Sequence, residues 1–318
     1  MKFSKLSIVV PAYNEEANIV PLLQRLRAVV ETMKGMEAEF IIVDDHSRDG
    51  TSRVVMEEHR KDPRVKLLRL SRNSGSHTAL QAGLCHTSGD AAVTMSADLQ
   101  EPPEIIPEML ERIKAGKHIV WAVRASRSDS LINRARASLY HRFFKKFILP
   151  AYPKKGADHF MIAGEALKSI RSIPEKNTSL MGLVCWMGFE QDQVLFHRDK
   201  RLSGESKWSF PKTFKLIIDS LVSFSYLPVR AMSALGFLMA AFGFLYIVFL
   251  VGRYIFFDSR GVEGWHSLMI MLVLVSGIQM MMLGILGEYL WRIFEESRRR
   301  PLYIIENSIG FPKSPLDP

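Results

Sequence analysis

Cysteine is scarce in this sequence, which has 318 residues but only two cysteines, Cys85 and Cys185, and no C-x-x-C pair. Two separate cysteines argue against a disulfide framework and against a cysteine-ligated zinc site. Histidines at the spacing of zinc ligands are absent as well. We therefore interpret both cysteines as packing residues and expect the fold to be compatible with a reducing compartment.

Glycine-rich phosphate-binding motifs are also absent, since the sequence contains neither G-x-G-x-x-G nor the Walker A lysine motif. This disfavours a Rossmann dehydrogenase and a P-loop nucleotidase. Residues 1–16 do not have the pattern of a signal peptide, because their apolar run is short, ends in Pro-Ala-Tyr-Asn-Glu-Glu and has no cleavage site.

Charge is missing from two long stretches in the second half of the chain. Residues 231–251 carry no charged side chain, and His266 is the only ionisable side chain in residues 265–287. Each stretch can cross the roughly 30 Å hydrocarbon core of a bilayer. The whole chain has 42 Lys and Arg against 33 Asp and Glu, a net charge of +9, which suits nucleic acid, an anionic membrane or phosphorylated substrates. We predict a membrane protein with a soluble amino-terminal domain.

The first half alternates between apolar strands and amphipathic helices. Repeated β–α units of this kind predict a mostly parallel α/β sheet with right-handed crossovers. The carboxyl ends of the strands should share one edge, where open sheets bind ligands. The predicted strands are 6–10, 40–43, 65–70, 91–95 and 119–123, and the loops expected at that edge are 11–15, 44–49, 71–76, 96–100 and 124–129.

The loop after the fourth predicted strand contains Asp98 and Gln100, directly beyond an apolar run and before Pro102 and Pro103. A carboxylate and an amide are hard oxygen ligands, which suit Mg²⁺ or Mn²⁺ holding a diphosphate. The alternative is that Asp98 only caps the following helix. Residue type and spacing leave both interpretations open.

Two adjacent carboxylates, Asp44 and Asp45, follow the second predicted strand. A Ser/Asp/Gly/Thr turn then begins a helix, and Asp49 and Thr51 suffice to cap it. Asp44 and Asp45 are therefore not required for capping the helix. A carboxylate at this place can accept hydrogen bonds from a base N–H group or from ribose hydroxyls, as acidic residues do in dinucleotide-binding folds.

Five spaced segments together make the sequence similar to family 2 glycosyltransferases of the GT-A (Rossmann-like) fold. Within that family it closely resembles the polyprenyl-phosphate glycosyltransferases, which include dolichyl-phosphate mannose synthase and the bacterial undecaprenyl-phosphate glucosyltransferases. The resemblance covers nearly the whole chain, and several motifs in the right order are more specific than any one alone. The segments are VVPAYNEE (9–16), VDDHSRDGT (43–51), RNSG (72–75), ADLQEPP (97–103) and RLSGESK (201–207).

The resemblance implies an inverting, metal-dependent hexosyltransferase. It would move a sugar from a nucleotide-sugar, expected to be UDP-linked, to a polyprenyl (undecaprenyl) phosphate at the cytoplasmic face, giving a donor for cell-envelope glycan modification. The attacking phosphate has a second pKa of about 6, so the enzyme must supply alignment and charge neutralisation rather than a strong base. The expected cofactor is Mg²⁺ or Mn²⁺. The expected partners are the two substrates, the membrane and a second copy of the chain in a homo-oligomer, with no nucleic acid.

The resemblance also assigns candidate residues for three roles. The catalytic candidates are Asp98, Asp158 and Arg201, and the metal candidates are Asp98 and Gln100. Asp158 would orient the sugar or the acceptor. The candidates for binding the nucleotide-sugar are Pro11, Ala12, Tyr13, Glu15, Asp44, Asp45, Ser96, Ala97, Arg127 and Lys207, of which the last two, together with Arg201, would hold phosphates.

The chain departs from the family pattern at three places. Ser96 stands where the metal motif Asp-x-Asp usually has its first aspartate, so one anionic ligand is lost. Ser76 and His77 follow the Arg-Asn-x-Gly loop, where a lysine is common. His159 and Phe160 replace the aromatic residue and the arginine of the usual Gly-Asp-Phe-Arg-Leu-Met segment.

We divide the chain into a cytoplasmic GT-A domain (residues 1–208), an amphipathic interfacial segment beside the membrane (209–228), a transmembrane hairpin of two helices (229–291) and a cytoplasmic tail (292–318). Basic residues flank both outer ends of the hairpin, and the positive-inside rule then puts both termini in the cytoplasm. This arrangement corresponds to a multi-pass protein of the inner membrane.

Two other classes stay open at this stage. A processive polysaccharide synthase would share the first domain, but it usually needs more spans, and a Gln-x-x-Arg-Trp signature is not visible in the sequence. A non-catalytic membrane scaffold with a degenerate metal site is supported only by Ser96.

Overall fold

The computed structural model describes five parts of the chain: residues 3–125, 159–173, 179–197, 227–257 and 264–312. Four predicted site residues and most of the predicted interfacial segment (209–228) lie outside these parts. The four residues are Arg127, Asp158, Arg201 and Lys207.

The chain divides into two compact units, of which the first comprises residues 1–216 and 301–318. One eight-stranded sheet forms its centre. The strands are β1 (Lys5–Ala12), β2 (Glu37–Asp44), β3 (Val65–Leu70), β4 (Ala91–Thr94), β5 (Ile119–Arg124), β6 (His159–Ala163), β7 (Gln191–Phe196) and β8 (Ile305–Ile309).

The strand order across the sheet is β7-β5-β6-β4-β1-β2-β3-β8. Strands β6 and β8 run antiparallel to their neighbours, while the remaining neighbouring pairs are parallel. The carboxyl ends of β1 to β5 therefore share one edge, which we call the carboxyl edge. This arrangement confirms the predicted mostly parallel α/β sheet.

In its described residues, this unit has six helices that cover the sheet, and several have an amphipathic spacing. In α4, for example, Ile106, Met109, Leu110 and Ile113 are buried, which corresponds to the i, i+3, i+4, i+7 stripe of an amphipathic helix. A 3₁₀ turn at Pro103–Ile105 precedes α4. The helices are α1 (Glu16–Thr32), α2 (Thr51–Lys61), α3 (Ser76–Cys85), α4 (Ile106–Lys114), α5 (Gly164–Ser172) and α6 (Leu180–Trp186).

The core lies on both faces of the central strands, which explains why β1 and β2 are continuous apolar runs. Gly83 in α3 lets that helix approach the sheet closely. A Cβ atom added there would lie 2.3 Å from a methyl carbon of Val9 and 2.9 Å from one of Val43. On the same face of the sheet, the rings of Trp121 and Phe160 pack with their centroids 5.5 Å apart.

Sequence analysis predicted residues 292–318 as a tail after the membrane hairpin. In the structure, part of this segment is helical and another part is a strand of the central sheet. The helix that begins at Trp265 continues to Ser297, and residues 305–309 form β8. Strand β8 pairs antiparallel with β3, with Leu67 opposite Ile309. Its sequence, IENSI, has too few apolar residues to stand out, because the strand attaches to an existing sheet edge through its backbone.

The second unit, residues 217–300, contains two long helices in its described part. They are α7 (Leu227–Phe257) and α8 (Trp265–Ser297). Apolar windows at Val229–Tyr246 and Leu274–Ser297 have mean hydropathies of 1.5 and 1.3. Both helices are therefore long and apolar enough to cross a membrane, in agreement with the two uncharged stretches of the sequence.

Candidate active site

Hydrogen bonds join the loops after β1 and β2 into one rim at the carboxyl edge. The backbone N–H of Asn14 donates to Ser47 Oγ at 2.9 Å, and the N–H of Arg48 donates to Asn14 Oδ1 at 2.9 Å. The N–H of Glu15 donates to Thr51 Oγ1 at 3.0 Å. These reciprocal contacts fix the two loops relative to each other.

The first group of candidates lies at the end of β1 and in the loop after it, next to this rim. Pro11, Tyr13 and Glu15 are half-buried, whereas Ala12 is buried. The carbonyl oxygen of Ala12 accepts a hydrogen bond from the N–H of Asp45 at 2.9 Å. The structure thus brings these residues together at one edge, and their contact with a nucleotide-sugar stays a prediction.

Asp44 is completely buried beneath the rim and is surrounded by donors from the protein. Its Oδ1 accepts from the N–H of Ser47 at 2.8 Å, and its Oδ2 accepts from Arg69 Nη1 at 2.9 Å. The hydroxyl of Ser52 also donates to Oδ2. In this structure Asp44 anchors the second loop and β3, and a role in binding the nucleotide stays a prediction.

Asp45 connects the loops after β2 and β3. Its carboxylate accepts the N–H groups of Ser74 and Gly75 at 2.7 and 2.8 Å. Burial raises the pKa of Asp45 and the negative charge of Asp44 adds to this effect, whereas the two backbone donors oppose it. Gly75 has a φ of 90°, which a residue with a side chain would adopt only under strain, so glycine allows its N–H to meet the carboxylate.

The predicted metal loop after β4 is held by contacts between side chains. The hydroxyl of Ser96 lies 2.6 Å from Asp98 Oδ1 and also contacts the carboxylate of Glu101. The N–H of Gln100 donates to Asp98 Oδ1 at 3.3 Å. Ser96 therefore contacts two carboxylates, and its single hydroxyl proton can be donated to one of them at a time. Ala97 beside it is buried.

A contact from a distant strand reaches the same loop. Because β6 runs antiparallel to β4, its first residue, His159, lies at the carboxyl edge. The Nε2 atom of His159 is 3.2 Å from Glu101 Oε2. Sequence analysis missed Glu101, since the only signal for it was an acidic residue next to the proposed metal ligands.

The donor set of the β4 loop fits a hard divalent cation. Asp98 and Gln100 are partly exposed and offer a carboxylate and an amide oxygen. Mg²⁺ and similar ions commonly take one or two carboxylates from the protein and complete their shell with substrate phosphates and water. Within the described residues there is no group of three or more His, Cys, Asp or Glu side chains arranged as a metal site, so substrate oxygens would have to supply several ligands.

Backbone strain is concentrated in these loops. Asn14, His46 and Leu99 have φ values of 53°, 61° and 58°, and they follow β1, β2 and β4 respectively. A positive φ is unusual for a bulky residue such as leucine, and strained residues of this kind persist where the surrounding contacts determine the conformation. The protein's own contacts therefore determine the backbone conformation of the carboxyl edge.

The sheet, its polar carboxyl edge and the loop after β4 define an α/β glycosyltransferase fold. The solved structure of glucosyl-3-phosphoglycerate synthase from Mycobacterium tuberculosis, in complex with Mn²⁺, uridine diphosphate and phosphoglyceric acid, is similar in fold. Its TM-score is 0.50 at 19% identity, with 69% of this chain and 78% of that chain covered.

The family model of Glycosyl transferase family 2 matches residues 7–172, and the chain belongs to this family. Among curated relatives, the uncharacterized glycosyltransferase YkcC of Bacillus subtilis (strain 168) is 38% identical over 305 residues, covering 96% of this chain and 94% of the relative. The bactoprenol glucosyl transferase of Shigella phage SfV is 34% identical over 304 residues, covering 95% and 98% respectively. The resemblance seen in the sequence motifs is thereby confirmed.

Proposed function

We propose that the protein moves a sugar from a nucleotide-sugar, expected to be UDP-linked, to a polyprenyl phosphate at the cytoplasmic face of the inner membrane. The observation that carries this proposal is the match to a bactoprenol glucosyl transferase over 95% of the chain. Because that match extends beyond the sheet to the apolar helices, it supports a lipid-linked acceptor. A processive synthase remains the alternative that the experiment below tests.

Charge neutralisation and alignment are the two tasks that we assign to the site. Asp98 and Gln100 would hold Mg²⁺ or Mn²⁺, which when bound stabilises the charge on the departing nucleoside diphosphate. The similar synthase holds Mn²⁺ and uridine diphosphate, which supports this assignment. Arg127, Arg201 and Lys207 would bind phosphate oxygens, since guanidinium and ammonium groups form charge-assisted hydrogen bonds with them.

The proposed topology has two membrane spans and both termini in the cytoplasm. One sheet contains β1 to β7, which precede the apolar helices in the chain, and β8, which follows them. A chain that leaves and rejoins the same sheet must cross the membrane an even number of times. This requirement supports a hairpin made of α7 and α8.

The test is a transfer assay with the purified full-length protein in detergent micelles. Undecaprenyl phosphate, Mg²⁺ or Mn²⁺ and a panel of radiolabelled nucleotide-sugars are supplied. We expect label from one donor in the lipid extract. Label in polymer would identify a processive synthase, and no transfer from any donor would favour the non-catalytic scaffold.

Asp98→Asn is expected to lower the transfer rate by about 100-fold or more, since losing even an outer contact to a metal ligand costs about 10- to 100-fold. Its thermal unfolding temperature should stay near that of the wild type, because Asp98 is partly exposed. Asp192→Asn is the matched control, since it also removes one carboxylate charge. Asp192 lies on β7 and pairs with Arg112 of α4. A wild-type rate of Asp98→Asn at limiting metal would refute the metal assignment.

A further inference from the structure

Two departures from the family pattern meet at one side chain. Ser96 follows β4 and His159 begins β6, so they are far apart in the sequence. Both nevertheless contact Glu101, Ser96 through its hydroxyl and His159 through Nε2 at 3.2 Å. Departures that share a contact are candidates for mutual compensation.

Burial makes this contact consequential. Glu101 is 4% exposed and His159 is 7% exposed. A carboxylate removed from water needs hydrogen-bond donors. The Ser96 hydroxyl can provide one when its proton points to Glu101, and His159 can provide another when Nε2 carries a proton. An aspartate in place of Ser96 would instead put a third carboxylate next to those of Asp98 and Glu101. Carboxylates in direct contact repel each other strongly.

The same contacts determine the orientation of Asp98. Ser96 lies between Glu101 and Asp98 Oδ1, at 2.6 Å from the latter. Leu99, the next residue after Asp98, is buried and held at a φ of 58°. Within this turn the hydroxyl of Ser96 and the N–H of Gln100 both contact the same oxygen of Asp98, Oδ1.

We propose that Glu101 is a positioning residue which, through Ser96, holds Asp98 in the orientation for a divalent cation, with His159 as its second anchor. In this chain the pair Ser96 and Glu101 takes the place of the first aspartate of the family motif, whose second aspartate is Asp98. The proposal rests on the proposed function, since it assigns the metal to Asp98.

The test is a double-mutant cycle on Ser96 and Glu101. The variants are Glu101→Gln, Ser96→Asp and the double variant, with Glu104→Gln as the matched control. Glu104 lies in the same segment, but it is exposed and pairs with Arg25 at 2.8 Å. For each protein we would measure the affinity for Mn²⁺ in the presence of UDP by electron paramagnetic resonance, the kcat, the KM for the lipid acceptor and the unfolding temperature without metal.

Glu101→Gln is expected to weaken Mn²⁺ binding and to lower kcat by about tenfold each, the usual range for a residue that orients a metal ligand. The KM for the acceptor should not change. Ser96→Asp alone should be impaired to a similar or greater extent, whereas the double variant should recover most of the Mn²⁺ affinity, because removing the charge of Glu101 makes room for the new carboxylate. Glu104→Gln should match the wild type.

The inference is overturned if Glu101→Gln binds Mn²⁺ as the wild type does, even if it unfolds at a lower temperature, because Glu101 would then have a structural role only. Strictly additive effects of Ser96→Asp and Glu101→Gln would overturn it as well, since compensation requires coupling. A failure of the proposed function has a different result: the wild type would transfer no sugar with any donor.

Discussion

The two ends of strand β2 carry buried carboxylates in opposite electrostatic situations. Glu39, near the start of the strand, is 1% exposed, and Asp45, directly after its end, is 3% exposed. Burial alone would raise the pKa of Glu39, but hydrogen bonds from Lys66, Ser7 and Ser88 lower it to about 2. Burial raises the pKa of Asp45, and its negatively charged neighbour, Asp44, adds to this effect.

This difference separates a structural carboxylate from a functional candidate on the same strand. Glu39 accepts from Lys66 Nζ at 2.7 Å and from Ser7 Oγ at 2.5 Å, so its charge is compensated in the folded state. Asp45 remains next to another carboxylate at the edge where ligands are expected. Perturbed carboxylates kept at such an edge are typical of sites selected for function rather than for stability.

The largest expected effect is on folding. Glu39→Gln should lower the free energy of unfolding by about 3 kcal/mol, because it leaves Lys66 partly buried without its counter-charge. Transfer activity per folded molecule should be unchanged. Urea denaturation of the detergent-solubilised protein measures the first quantity, and Glu37→Gln, an exposed position on the same strand, is the control. A loss of activity without a loss of stability would reverse the comparison.

The pH dependence of stability provides a second and independent measurement at Glu39. Its pKa is about 2 in the folded protein against an ordinary value of 4.5. A lowered folded-state pKa means that the stabilisation is fully present above pH 4.5 and is lost as the pH falls toward 2. Between pH 4.5 and pH 2 the free energy of unfolding of the wild type should fall by about 3 kcal/mol more than that of Glu39→Gln. Parallel stability curves for the two proteins would show that Glu39 is not charged and paired as described.

Asp45→Asn is expected to have a smaller effect on folding and a measurable effect on the donor. A raised folded-state pKa means that the charged form costs stability as the pH rises through that pKa. Asp45→Asn removes one acceptor for the Ser74 and Gly75 amides, but it also removes a buried charge, and the two effects offset each other. The free energy of unfolding should therefore change by less than about 1 kcal/mol. The KM for the nucleotide-sugar should rise about tenfold, as for loss of one hydrogen bond to a ligand. Unchanged donor kinetics together with reduced stability would make Asp45 a second structural carboxylate.

The sequence predicted the central part of the fold because local periodicity determines it. The four β–α units, the fifth strand and their common edge follow from apolar runs such as those of β1 and β2. Strands β6, β7 and β8 were missed because their partners lie far away in the sequence, and β8 is polar. The same reason explains the missed side chains. Glu39 and Glu101 contact Lys66 and His159, which lie on other strands, and these contacts determine their roles.

The candidate site was predicted to the extent that its motifs are local. Asp98 and Gln100 lie in one short loop, and the structure places that loop at the carboxyl edge. The spacing of residues in the sequence could not predict which carboxylates are buried or which groups donate hydrogen bonds to them. Asp44 and Asp45 are adjacent and look equivalent in the sequence, yet Arg69 reaches Asp44 while backbone amides reach Asp45.

The smallest expected effect concerns strand β8, which brings Glu306 to the carboxyl end of β2. Glu306 Oε2 accepts from Arg69 Nε at 2.9 Å and lies 3.4 Å from His46 Nδ1. Arg69 also donates to Asp44, so Glu306 is linked to Asp44 through one intermediate side chain. Because Glu306 is exposed, solvent and salt screen this contact, and exposed ion pairs contribute little.

Glu306→Gln should therefore raise the KM for the nucleotide-sugar only about twofold, an effect expected of a screened surface pair. The increase should be larger at low ionic strength, where charges interact over a longer distance. Glu190→Gln is the matched control, because it removes a surface ion pair with Lys117 of 3.0 Å. If both variants change the donor KM equally at every ionic strength, β8 only completes the sheet. A salt-dependent change confined to Glu306→Gln would show that the strand following the apolar helices also adjusts the charge beneath the rim.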